Sequence, residues 1–103
     1  MTIINLTPHA ITVVGNATFA PSGAVARCAS ITSAAGSFDE IPLTSVSYGD
    51  VESLPAPQKG VLYVVSALVR AAVPSRKDVA SPGDLLRDDK GNVIGCKSLV
   101  VNS

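Results

Sequence analysis

Tryptophan is missing from this 103-residue chain, and Tyr and Phe together make up only 4% of it. A core of stacked aromatic rings is thereby excluded, and Val, Ile, Leu and Ala have to fill the interior. Charge is scarce as well: 16% of residues are charged, against roughly 25% in a typical soluble domain. Eight basic and eight acidic residues cancel. No global basic face exists to displace counterions, so a nucleic-acid polymer is not an expected partner. One His and two Cys are too few for an ordinary zinc site. No apolar run approaches the roughly 20 residues of a spanning helix, so no membrane partner is expected. The opening MTIINLTPHA has neither a charged n-region nor a continuous apolar stretch, and it does not read as a secretion signal. A cytoplasmic location follows as an expectation, with Cys28 and Cys96 as reduced core thiols. The P-loop, GxGxxG, HExxH, GxSxG and CxxC patterns are also missing, which argues against the common enzyme classes that use them.

What remains is 47% hydrophobic, so disorder is excluded and a single domain of about 100 residues is expected. With so few charges to cover the surface, a homo-oligomer is the expected way to bury the surplus apolar area. Residues 10–20 read as a hairpin turning at Gly15-Asn16. Residues 24–32 alternate only in part and suit a strand covered on both faces. Ser33 to Ser37 is small and polar and reads as a loop. Residues 41–48 are strand-like again, with Ile41, Leu43 and Ser45 on one face. Residues 49–60 hold two Pro and two Gly and read as a loop.

Residues 61–66 form the strongest strand signal, and residues 67–72 the one helix signal. Ser66 is placed to cap that helix and Pro74 to end it. Leu68, Val69 and Ala72 are expected to face the core and Arg70 to face away from it. Residues 79–84 read as a Pro-Gly loop. Asp88 to Asn92 is a turn sequence between two strands. The chain is therefore expected to be mostly β, a β-sandwich or small barrel-like domain spanning 1–103, with one short α-helix near 67–73.

Arg70, Arg76 and Asp78 cluster after the strongest strand. A guanidinium is a planar fork that fits phosphate or carboxylate, and Asp78 can fix an Arg or accept from a ribose hydroxyl. The plainer reading is a structural ion pair. Arg27 sits mid-strand among small residues and either meets solvent or lines a pocket. His9 is a candidate acid or base, or a loop residue bonded to neighbouring backbone. Ser66 is a further candidate ligand contact. The Pro21-Ser22-Gly23 turn can present N–H groups to an anion but more simply closes a hairpin. Asp88-Asp89 has no second acidic pair at metal-loop spacing, and neither a metal nor a cofactor is expected.

The Asn5-Leu6-Thr7-Pro8-His9 opening, the Pro21-Ser22-Gly23 turn followed by Ala26-Arg27, and the Leu54-Pro55 loop carry a resemblance, together with Tyr63-Val64-Val65-Ser66, Arg76 with Asp78, Pro82, Arg87-Asp88, Gly91 and Ile94-Gly95-Cys96. In combination they resemble a group of small proteins of tailed phages, prophages and some bacteria. The resemblance covers nearly the whole chain and implies an origin more than a mechanism. Compact phage proteins of this size are often virion parts or inhibitors of host defence. The expected function is a binding protein that sequesters an anionic nucleotide, cyclic nucleotide signals included, without catalysis. Arg76, Asp78, Arg70, Ser66, Arg27 and His9 would contact that ligand. The rivals are a virion-accessory or partner-binding module and a small-nucleotide hydrolase using His9. An exposed apolar face without an Arg-lined hollow favours the module, and His9 sharing a hollow with Arg76 favours the hydrolase.

Overall fold

The computed structural model describes residues 1–15 and 17–103. Its elements run β1 (Thr2–Asn5), β2 (Ile11–Val13), β3 (Ala17–Phe19), β4 (Arg27–Phe38), β5 (Ile41–Glu52), β6 (Val61–Val64), α1 (Ala67–Ala72), β7 (Val79–Arg87) and β8 (Val93–Val101). Six strands form one sheet in the order β1-β6-β7-β8-β2-β3, while β4 and β5 pair only with each other. The protein is thus mostly β, with a barrel-like sheet, a separate hairpin and one short helix.

The six-stranded sheet nearly closes because its two outer strands meet at Asn5, which bridges to Pro21 just past β3. The Asn5 carbonyl accepts from the Ser22 N–H at 3.0 Å and from Ser22 Oγ at 2.8 Å. The buried Asn5 amide donates to the His9 and Phe19 carbonyls at 2.8 and 2.9 Å. Its Oδ1 accepts from the Thr7 N–H and Oγ1. One buried amide therefore ties three segments together. Because the Ser22 N–H is spent on Asn5, the Pro21-Ser22-Gly23 turn is a seam of the sheet. The expected hairpin is present, with Ile11 opposite Phe19 and Val13 opposite Ala17; of its expected turn, Asn16 lies outside the described residues.

Leu6, Ala26, Tyr63, Val65, Val69 and Val79 form the core cluster. Period-2 alternation places Tyr63 and Val65 on that side and Leu62 and Val64 on the other. The Ser66 side chain accepts from the Val69 N–H at 3.2 Å, which caps α1, and the helix stops ahead of Pro74 as expected. Its packing differs from expectation. Only Val69 is buried, while Leu68 is 44% exposed and Ala72 is exposed. A helix of six residues sets barely one position squarely against the sheet. Arg70, expected to point outward, instead donates to Ser81 Oγ at 2.8 Å and Asn102 Oδ1 at 3.1 Å.

Two expected loops are strands. Ser33 to Ser37 continues β4, and residues 79–84 begin β7. The 49–60 loop shortens because β5 runs to Glu52. The largest departure is the β4–β5 hairpin itself. It was expected to be covered on both sides in its first strand, yet every residue from 30 to 50 is exposed. Only its root packs on the core, through Cys28 and Val51. Twelve residues at about 3.3 Å each make an arm of roughly 40 Å, and the molecule extends 52 Å along its longest axis. The radius of gyration is 16.4 Å, against about 12.8 Å for a compact chain of this length.

Candidate functional site

Arg76 and Asp78 do come together, with each other. Arg76 Nε donates to Asp78 Oδ1 at 2.7 Å and Nη2 to Oδ2 at 2.8 Å, a two-pronged ion pair. Nη2 also donates to the Pro55 carbonyl at 2.9 Å. The hydrogen bond from Arg76 holds the Asp78 carboxyl below its ordinary range, and the same bond raises the Arg76 pKa. Two of the three guanidinium nitrogens, Nε and Nη2, are thus taken by protein acceptors. Arg70 is likewise engaged, by Ser81 and Asn102. The Asn102 amide in turn reaches the Arg70, Val73 and Arg76 carbonyls at 2.9–3.2 Å, so it satisfies the C-terminal end of α1 and the turn beyond it.

The other three candidates lie elsewhere. Arg27 and Ser66 line one hollow of about 380 Å³ with Pro8 and Leu68. Among the described residues no side-chain hydrogen bond engages the Arg27 guanidinium. Exposed His9 lines a different hollow of about 440 Å³ with Pro82, Leu85 and Ile94. Arg70 and Arg76 line neither. The six residues therefore occupy three places, and the hollow shared by His9 and Arg76 that would favour a hydrolase is not among these. Asp88 is an Asx-turn residue: its carboxylate accepts from the Asn92 and Lys90 N–H groups, Asn92 having the larger effect in lowering its pKa. Among the described residues no three His, Cys, Asp or Glu side chains gather as a metal site. Cys28 and Cys96 are free thiols. Among the described residues no helix is long and apolar enough to cross a membrane.

The sequence reading missed two features. The first is the arm. Its register puts Ile41 opposite Phe38 and Val46 opposite Thr32. Phe38, Ile41 and Leu43 thus share the distal end of one face, and Val46 and Tyr48 share the other. All five are at least 42% exposed. The Ile41–Leu43 alternation was legible, but the small residues of β4 concealed the partner strand. The second feature is a trough of two open hollows, about 740 and 530 Å³, which share Ile3 and Phe19. Leu62 and Lys77 line the first, and Val13, Leu99 and Lys97 the second. Fold and site define a mostly β protein with a barrel-like sheet and an uncovered hairpin arm. The chain matches no family model, no curated protein and no solved structure.

Proposed function

We propose that this protein is a structural interaction module that joins copies of itself through the β4–β5 arm. The observation that carries this reading is the unbroken exposure of residues 30–50 along a ribbon bearing Ile31, Phe38, Ile41, Leu43, Val46 and Tyr48. A two-stranded ribbon with nothing against either face is marginal in water. The amount of surface supports the same reading. The chain exposes 6882 Å² at 10.5 kDa, whereas a compact monomer of that mass exposes about 5400 Å². The surplus of about 1500 Å² approaches two standard interface halves of roughly 800 Å² each, one for giving an arm and one for receiving it. A second copy is the favoured occupant because it offers equal numbers of both. Sedimentation velocity of the intact chain and of a variant with residues 31–47 replaced by Asn-Gly tests this. The intact chain is expected to associate at micromolar concentration and the truncated one to run as a folded monomer. A monomeric intact chain would overturn the reading.

A second reading rests on the hollow that unites Arg27 and Ser66. Its volume of about 380 Å³ lies in the range of small-ligand sites, and Arg27 offers a fork of donors that no side-chain hydrogen bond engages among the described residues. Sequestration of a nucleotide-type anion, with antagonism of host defence as its use, would be served there. A thermal-shift screen against cyclic mono-, di- and trinucleotides, NAD and ADP-ribose, with chromatography of the released ligand, tests it. An intact ligand returned supports sequestration, a cleaved one supports a hydrolase, and no shift removes both.

A further inference from the structure

Resting on self-association through the arm, we infer that the arm tip of one copy seats in the Ile3–Phe19 trough of the next, with Asp39 and Glu40 against Lys77 and Lys97. The tip and the trough complement each other in polarity and in charge. Phe38, Ile41 and Leu43 are 69%, 60% and 42% exposed and lie on one face at the arm's end. The trough walls are Ile3, Val13, Phe19, Leu62 and Leu99, apolar and open to solvent. Between Arg27 and Asp50 the only charged residues are Asp39 and Glu40, both at the apex. The charged residues lining the trough are Lys77, Lys97 and Asp78, and Asp78 is already neutralised by Arg76. The trough lining is therefore basic and the entering tip acidic.

The turn itself points the same way. Asp39 and Glu40 have φ of +48° and +67°, the left-handed pair of a two-residue hairpin turn, which Asn-Gly adopts at lower cost. Asp suits the first of these positions, but Glu40 stands where glycine is preferred, so the turn is not chosen for local stability alone. An arm of roughly 40 Å carries the tip well away from its own body. Every copy then presents one arm and one trough, which gives a head-to-tail contact that closes as a ring or grows as a filament.

The test compares the intact chain with three variants of it, with sedimentation velocity at low salt and a melting curve for each. D39K/E40K and K77E/K97E should each raise the dissociation constant at least tenfold, because like charges then face each other. An equimolar mixture of the two should restore assembly, since every arm in it finds an oppositely charged trough. D39N/E40G should keep or raise the melting temperature while weakening association, which separates the carboxylates from the fold of the turn. Reversals that leave assembly unchanged, while arm truncation still dissolves it, would overturn the trough as acceptor and leave self-association standing. A monomeric intact chain would overturn both.

Discussion

Replacing Arg76 with alanine separates a structural clamp from a free anion site. Arg76 and Asp78 are only 20% and 19% exposed, and their two hydrogen bonds are 2.7 and 2.8 Å long. The third bond, to Pro55, holds the loop ahead of β6. The Asp78 backbone carbonyl accepts from the Tyr63 N–H at 2.9 Å, so the clamp also steadies the start of the β6–β7 pairing. An exposed ion pair contributes about 0–1 kcal/mol, and a hydrogen bond to a charged group about 1.5–3 kcal/mol. A pair four-fifths covered belongs between these, and Arg76→Ala should cost about 2 kcal/mol. That corresponds to roughly 8–16 °C in melting temperature for a domain of this size. Urea unfolding at one fixed protein concentration measures it, because association makes apparent stability depend on concentration.

The pH dependence follows from Asp78. Its folded-state pKa lies below its unfolded value because Arg76 donates to the carboxylate. The stabilisation is therefore present above the unfolded pKa of about 3.9 and fades as pH falls through the folded value. Asp78→Asn should be less stable than the parent at pH 7, and the gap should close in acid, where the parent's carboxyl is protonated too. A loss below about 0.5 kcal/mol for Arg76→Ala would refute the clamp, as would a gap that stays constant into acid.

Two other positions give sharp outcomes. Asn5→Asp sets a carboxylate oxygen against the His9 and Phe19 carbonyls now satisfied by the amide. The seam of the sheet should weaken by about 3 kcal/mol or more, seen as a lower urea midpoint with faster amide exchange in β1 and β3. Gly95→Ala brings a methyl to 3.1 Å from the Thr12 carbonyl and 3.0 Å from Val14 Cγ2. The backbone neighbour cannot yield as a side chain can, so about 1–2 kcal/mol should be lost, and an unchanged melting curve would count against that packing.

The short helix and the last hairpin were legible because their signals are local. Ser66 caps α1, Pro74 stops it, and the Asp88 carboxylate organises the turn to Asn92. What stayed hidden depends on partners remote in sequence. Ser33 and Ala34 have little intrinsic preference for a strand, yet pairing with Ser45 and Thr44 makes them one, and Ser33 and Ser45 share a hydroxyl contact at 3.0 Å. Pro82 argues against a central strand. It is tolerated in β7 because β6 pairs only as far as Ala80, so that side of Pro82 asks for no N–H. Arg76 with Asp78 was readable from a spacing of two residues, whereas the turn of Arg70 toward Ser81 and Asn102 needed the third dimension.

The low charge of the chain acquires a physical sense from where its charges stand. A ribbon with two open edges is a template for uncontrolled pairing, which soluble proteins usually blunt with charges along the edge. Here the ribbon is bare of charge from Cys28 to Phe38 and from Ile41 to Gly49. A Ser- and Thr-rich ribbon of this kind stays soluble only if something covers it, or if its tip directs it to one acceptor before its edges meet. Asp39 and Glu40 can do the second once the tip comes within about 10 Å of its acceptor, the distance over which charges act at moderate salt. Phe38 and Ile41 can then bury what the carboxylates have aligned. On that physics the scarcity of charge along the arm and its concentration at the apex are two parts of one docking device.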